Sequence, residues 1–92
     1  MKVNFYATLR PIVGQKTVDI DIPDGATIGQ LISSLVAAYP ALRPEMLDEK
    51  GDLHGHIHFF VNGRDVPYLE RQIDTVLQHD DIISVFPPVG GG

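Results

Sequence analysis

Cysteine is absent from this sequence of 92 residues. No disulfide framework and no thiolate zinc site can therefore staple so small a domain, and the core has to come from ordinary apolar side chains. Nor can any side chain hold a thioester, a persulfide or a catalytic thiolate. Long apolar runs are missing too. Nothing approaches the roughly 20 residues that cross a bilayer, and Met1-Lys2 opens no signal-peptide pattern, so a soluble cytoplasmic protein is expected, with no membrane partner. Basic residues are scarce: 7 Lys and Arg stand against 12 Asp and Glu, a formal charge of −5. That balance argues against nucleic-acid binding, which needs a basic face. No Walker-type glycine loop ends in lysine, so no ATP site is expected on this chain.

What is present reads as one small α+β domain. Val3, Phe5, Ala7 and Leu9 alternate with polar or amphipathic neighbours, the period of a half-buried strand. Pro11 and Gly14 mark a reversal, and Val18, Ile20 and Ile22 alternate again, predicting a hairpin. Thr27-Ile28-Gly29-Gln30 fits a capping box. Ile28, Leu31, Ile32, Leu35, Val36 and Tyr39 follow at helical spacing, and Pro40 stops the helix. Leu42, Met46 and Leu47 supply a further helical turn. Ile57, Phe59 and Val61 face one way along a third strand, with His58, Phe60 and Asn62 on the other side, and Asn62-Gly63 is a turn signal. A short edge strand is predicted over Val66 to Leu69, a core-capping turn over Ile73, Val76 and Leu77, and a last strand over Ile82 to Phe86. One amphipathic helix lies across one face of a mixed sheet of four to five strands.

The domain spans 1–86, and 87–92 form an extended tail: Pro87-Pro88-Val89-Gly90-Gly91-Gly92. Read as the chain's end, this strip presents a carboxylate with no side chain near it. Glycine makes it the slimmest peptide that can enter a partner's active site, and the prolines hold its root extended. Six residues reach roughly 20 Å at about 3.3 Å each. A frayed terminus is the plain alternative.

Other polar clusters carry less. His54, His56 and His58 at alternate positions would share one strand face and could chelate a metal, yet Gly55 interrupts the strand and no carboxylate completes the set. Glu45, Asp48, Glu49 and Asp52 have the composition of a calcium loop without its spacing. Asp74, Asp80 and Asp81 read as turn residues.

The element order resembles the ubiquitin-like β-grasp. The stretch from Val3 to Arg10, the turn Phe60-Val61-Asn62-Gly63 and the end from Asp80 to Val89 with its glycines look like those of the MoaD/ThiS sulfur carriers, above all the small subunit of molybdopterin synthase. Leu9-Arg10-Pro11 with Gln15-Lys16, and the stretch from Leu53 to Val66, look more like a branch that includes CysO and the small archaeal modifiers. His79-Asp80-Asp81 lacks the usual glycine of the last turn, and three glycines replace two.

The resemblance implies a non-enzymatic carrier. A MoeB/ThiF-like enzyme of the ubiquitin-activating type would use ATP to adenylate Gly92. A sulfurtransferase or cysteine desulfurase would then leave a thiocarboxylate, and the large molybdopterin-synthase subunit would take in the tail. Other acceptors stay open: an activated serine derivative, a tRNA, or a lysine joined through an isopeptide bond. Deletion of Gly91-Gly92 separates all of these from a plain interaction module. In such a sheet the first and last strands pair centrally, so Tyr6, Phe60 and Phe86 should adjoin on the open face as a partner-binding patch.

Overall fold

Alternating apolar positions build the sheet. In the computed structural model, which describes residues 1–88, β1 (Lys2–Phe5) buries Val3 and Phe5. The alternation continues to Leu9 in the sequence, but the backbone leaves the strand. Ala7 adopts a φ of 52°, and Ala7–Leu9 turn as a 3-10 helix into α1 (Arg10–Val13). Pro11 occupies the first turn of α1, where a missing N–H is no loss. Gly14 ends that helix at a φ of 80° with its N–H on the Arg10 carbonyl. The strand predicted through Leu9 is thus shorter: Leu9 is buried by the helical turn, and Ala7 is exposed.

Strand β2 (Thr17–Asp19) pairs antiparallel with β1, Val18 opposite Val3. The pairing is the one predicted, although the connection is helical rather than a tight turn. Helix α2 (Ile28–Ala38) begins where the capping box places it. Thr27 Oγ1 accepts the Gln30 N–H at 3.2 Å, and Gln30 Oε1 accepts the Thr27 N–H at 2.8 Å. Such a cap contributes about 1 kcal/mol. The helix buries Ile28, Leu31, Ile32, Leu35 and Val36. After Tyr39, Pro40–Leu42 form a 3-10 turn that runs into α3 (Arg43–Met46), burying Leu42 and Met46.

Strand β3 (His58–Val61) buries Phe59 and Val61. Asn62 and Gly63 then take positive φ values of 54° and 82°, which a tight two-residue turn with the sheet's twist requires. The edge strand comes sooner than predicted. It is β4 (Arg64–Asp65), whereas Val66–Tyr68 form a 3-10 turn. Pro67 has no N–H for a ladder, and the Asp65 side chain accepts the Val66 N–H at 2.9 Å. The predicted capping turn is also corrected in part: Leu77 is buried, but Ile73 and Val76 are 42% and 44% exposed. Strand β5 (Ile83–Phe86) buries Ile83 and Val85.

The sheet order is β2-β1-β5-β3-β4. Strands β1 and β5 are parallel, and every other pairing is antiparallel. With α2 packed on one face, this is the β-grasp architecture. Among the described residues no helix is long and apolar enough to cross a membrane.

Candidate functional site

The open face of the sheet is ordered by register. Asn4 lies beside Ser84, Ser84 beside Phe60, and Phe60 beside Asp65. In the next row toward the tail, Phe86 pairs with His58. Tyr6 follows Phe5, which is opposite Val85, and its N–H donates to the Val85 carbonyl at 3.2 Å. Tyr6, Phe86 and Phe60 therefore meet, as expected from the strand order. The Tyr6 and Phe86 rings stack with centroids 4.1 Å apart and planes 8° apart. Phe60 meets Phe86 edge-on at 5.5 Å. All three rings are half-buried. This is an aromatic surface at the end of the sheet from which Pro87 and Pro88 leave. A concavity of about 490 Å³ lies at the opposite end, lined by Lys2, Asp19, His79 and Ile82 among others, and includes none of these rings.

Two polar groups frame the aromatics, and sequence reasoning did not single them out in this role. The Arg10 guanidinium carbon lies 5.2 Å from the Tyr6 ring centroid, and its Nε–H donates to the Phe5 carbonyl at 2.8 Å. The signal was available in principle, since a cation four residues after an aromatic can fold back once the strand ends. On the other side His58 Nδ1 lies 2.8 Å from Asp65 Oδ2, and the His58 ring stacks on Phe60 at 6.0 Å. Asp65 Oδ1 accepts the N–H groups of Phe59 and Val66 at 3.3 and 2.9 Å. This pair depends on the true position of β4, which is why spacing did not reveal it.

The three alternating histidines do not share a strand face. Strand β3 begins at His58, and His54 and His56 lie in the preceding turn. Among the described residues no three His, Cys, Asp or Glu are grouped to hold a metal ion. Asp48 works as a turn residue, its Oδ1 accepting the N–H groups of Lys50 and Asp52 at 2.9 and 3.0 Å. Asp81 does so in the turn before β5. It accepts the Gln78 N–H at 2.8 Å and the Asn62 side-chain N–H at 2.9 Å, while Asn62 accepts the Ile82 N–H at 2.8 Å. That clamp fixes the start of β5. Val89, Gly90, Gly91 and Gly92, assigned to the tail, lie outside the described residues.

The profile of the ThiS family matches residues 3–92. The chain belongs to the ThiS family. Small archaeal modifier protein 3 of Haloferax volcanii is 38% identical over 92 residues, covering 100% of this chain and 98% of that protein. The sulfur carrier protein CysO of Mycobacterium tuberculosis is 32% identical, covering 98% and 96%. A molybdopterin synthase sulfur carrier subunit of Chlamydomonas reinhardtii is 27% identical, covering 100% and 98%. Among solved structures, small archaeal modifier protein 1 of H. volcanii superposes with a TM-score of 0.85 at 30% identity, covering 97% of each chain. The BexX/CysO complex of Amycolatopsis orientalis gives 0.80 at 25% identity, covering 99% of this chain and 98% of the matched one. ThiS-family members are thus small ubiquitin-like carriers and modifiers, and the β-grasp fold of this chain is theirs.

Proposed function

We propose that this chain is a sulfur carrier protein whose reactive group is the carboxylate of Gly92. The observation that carries the reading is that the family match runs to residue 92 and so takes in the glycine tail along with the domain. A carboxylate is a poor electrophile, and nothing in this sequence resembles a phosphate-binding loop. A partner therefore activates it with ATP, as an acyl-adenylate formed with loss of pyrophosphate. The terminal sulfur of a persulfide on a sulfurtransferase or desulfurase then displaces AMP to form an acyl disulfide. A thiol cleaves that bond, leaving a thiocarboxylate on Gly92 and a disulfide on the donor side. The chain is the substrate and carrier in this sequence of steps, not the enzyme. Pro87, Pro88, Val89, Gly90 and Gly91 thread the partner's channel, and Tyr6, Phe60 and Phe86 rest on its outer surface.

The acceptor proposed first is the pterin precursor of molybdopterin, received by a large synthase subunit, because Phe86-Pro87-Pro88-Val89 resembles that branch. Cysteine biosynthesis and tRNA thiolation draw on the same thiocarboxylate. A second reading has a specific observation behind it. The two small archaeal modifier proteins of H. volcanii, 38% and 33% identical to this chain, carry the name of modifiers, which favours an isopeptide bond from Gly92 to a lysine. Both fates pass through the same adenylate. Intact mass of the chain recovered from its host tests the reading: a carrier shows replacement of one oxygen by sulfur at the terminus, a modifier appears in high-mass conjugates, and finding neither form under sulfur demand refutes both.

The aromatic patch gives a second expected outcome. Phe86→Ala removes a half-buried ring whose stacking contributes about 0.5–1.5 kcal/mol beyond area burial, so the domain should remain folded. Affinity for the activating enzyme should fall by more, at least about 2 kcal/mol, as for a central aromatic of an interface. Calorimetric titration alongside thermal melts checks this. A large drop in Tm with unchanged affinity would make Phe86 a core residue instead.

A further inference from the structure

We propose that Arg10 is a carboxylate-reading anchor: it receives an aspartate or glutamate side chain of the activating enzyme as the tail enters that enzyme's active site. The inference rests on the carrier reading above and adds the chemistry of the contact. Arg10 is half-buried and laid over the Tyr6 ring, which is stacked on Phe86. Its Nε–H is used by the Phe5 carbonyl at 2.8 Å. That single bond, together with the ring beneath, fixes the plane of the guanidinium. The terminal amino groups of the fork have no partner among the described residues, and no ion pair among them involves Arg10.

Among the described residues no Lys or Arg side chain pairs with a carboxylate, so what distinguishes Arg10 is its restraint by the Tyr6 ring and the Phe5 carbonyl. Carboxylates are abundant in this chain, yet none of the described ones closes on Arg10, and the fork is held at the rim of the aromatic patch. A guanidinium restrained in this way has lost much of its freedom before binding, so less is lost when a planar anion docks on it. Charge complementarity selects an acidic partner surface at this point, with apolar contact to Tyr6, Phe60 and Phe86 beside it. The anion is a side-chain carboxylate rather than a nucleotide phosphate. The phosphates must stand where Gly92 is adenylated, roughly 20 Å from the tail's root when six residues are extended. Arg10 stands at that root.

The test is ATP–pyrophosphate exchange with the full-length chain and each ubiquitin-activating-type enzyme of its host. In Arg10→Gln the KM for the chain should rise about tenfold or more, the loss expected for a hydrogen-bonded charge contact. The kcat and the KM for ATP should be unchanged. The dependence of KM on salt should also flatten, since one screened attraction is gone. Arg10→Lys keeps the charge and loses the fork and the Phe5 anchor, so it should recover part of the loss. Among enzyme variants with single acidic residues changed to amides, one should be non-additive with Arg10→Gln in a double-mutant cycle. A merely structural role for Arg10 would lower Tm without moving the salt dependence or producing such a cycle. An unchanged KM and salt slope in Arg10→Gln overturns the contact while leaving the carrier reading intact. No exchange with the wild-type chain overturns the carrier reading, and the contact with it.

Discussion

Gly91→Val is expected to abolish loading of sulfur at Gly92 while leaving the domain folded, and one residue added after Gly92 should do the same. On the proposed mechanism valine puts a branched side chain next to the reacting carboxylate, in a channel that a glycine strip alone would thread. The added residue moves the carboxylate by about 3.3 Å. Misplacement of a reacting group by even 1 Å can cost about a hundredfold in rate, and on the proposed mechanism adenylation and sulfur transfer both depend on the same position. Neither change reaches the core, because every fully buried apolar side chain among the described residues lies between Val3 and Val85. Thermal melts should therefore shift by no more than about 0.5 kcal/mol. Mass spectrometry after reconstitution with ATP, activating enzyme and sulfur donor gives the readout, and sulfur on the extended variant would refute the mechanism.

Phe59→Ala is expected to have the largest effect on stability. Phe59 is fully buried on β3, opposite Val85 of β5, with Phe5 and the apolar face of α2 in the same core. Truncating a buried Phe to Ala costs about 3–5 kcal/mol. For a domain of this size that is roughly 15–30 °C in Tm, and a large part of the 5–15 kcal/mol typical of folded domains. Circular-dichroism melts of the two proteins check it. A shift below a few degrees would mean that the site collapses without a cavity. Phe60, the next residue, faces outward, so Phe60→Ala should cost far less stability, and the contrast between neighbours tests the strand's register directly.

The elements legible in the sequence were those whose pattern and local chemistry agreed. Thr27 and Gln30 fixed the start of α2 because a capping box is read from side chains three residues apart. Ile57, Phe59 and Val61, and Ile83 with Val85, showed their faces because both strands bury one side only. The adjacency of Tyr6, Phe60 and Phe86 followed once the strand order was assumed. Where the reading failed, a nonlocal or backbone effect decided. Ala7 continues an alternating pattern, yet its positive φ turns the chain out of the sheet. Val66 to Leu69 reads as a strand, yet Pro67 lacks a donor and Asp65 caps the turn instead. Ile73 and Val76 are apolar, but their turn sits at the rim of the core, where burial is partial. The pairing of His58 with Asp65 and the seat of Arg10 on Tyr6 depend on side-chain reach across strands, which spacing alone does not encode.

The central place of β5 also bears on how the protein is made. Strand β5 is the last of the five in the chain, and it joins the β2-β1 pair to the β3-β4 pair. A nascent chain that has not reached residue 83 holds two separate ribbons, and isolated two-stranded ribbons are marginal in water. The sheet closes only once Ile83–Phe86 are free to enter between β1 and β3. A copy truncated before β5 therefore keeps all the residues of four strands and still lacks the joined sheet.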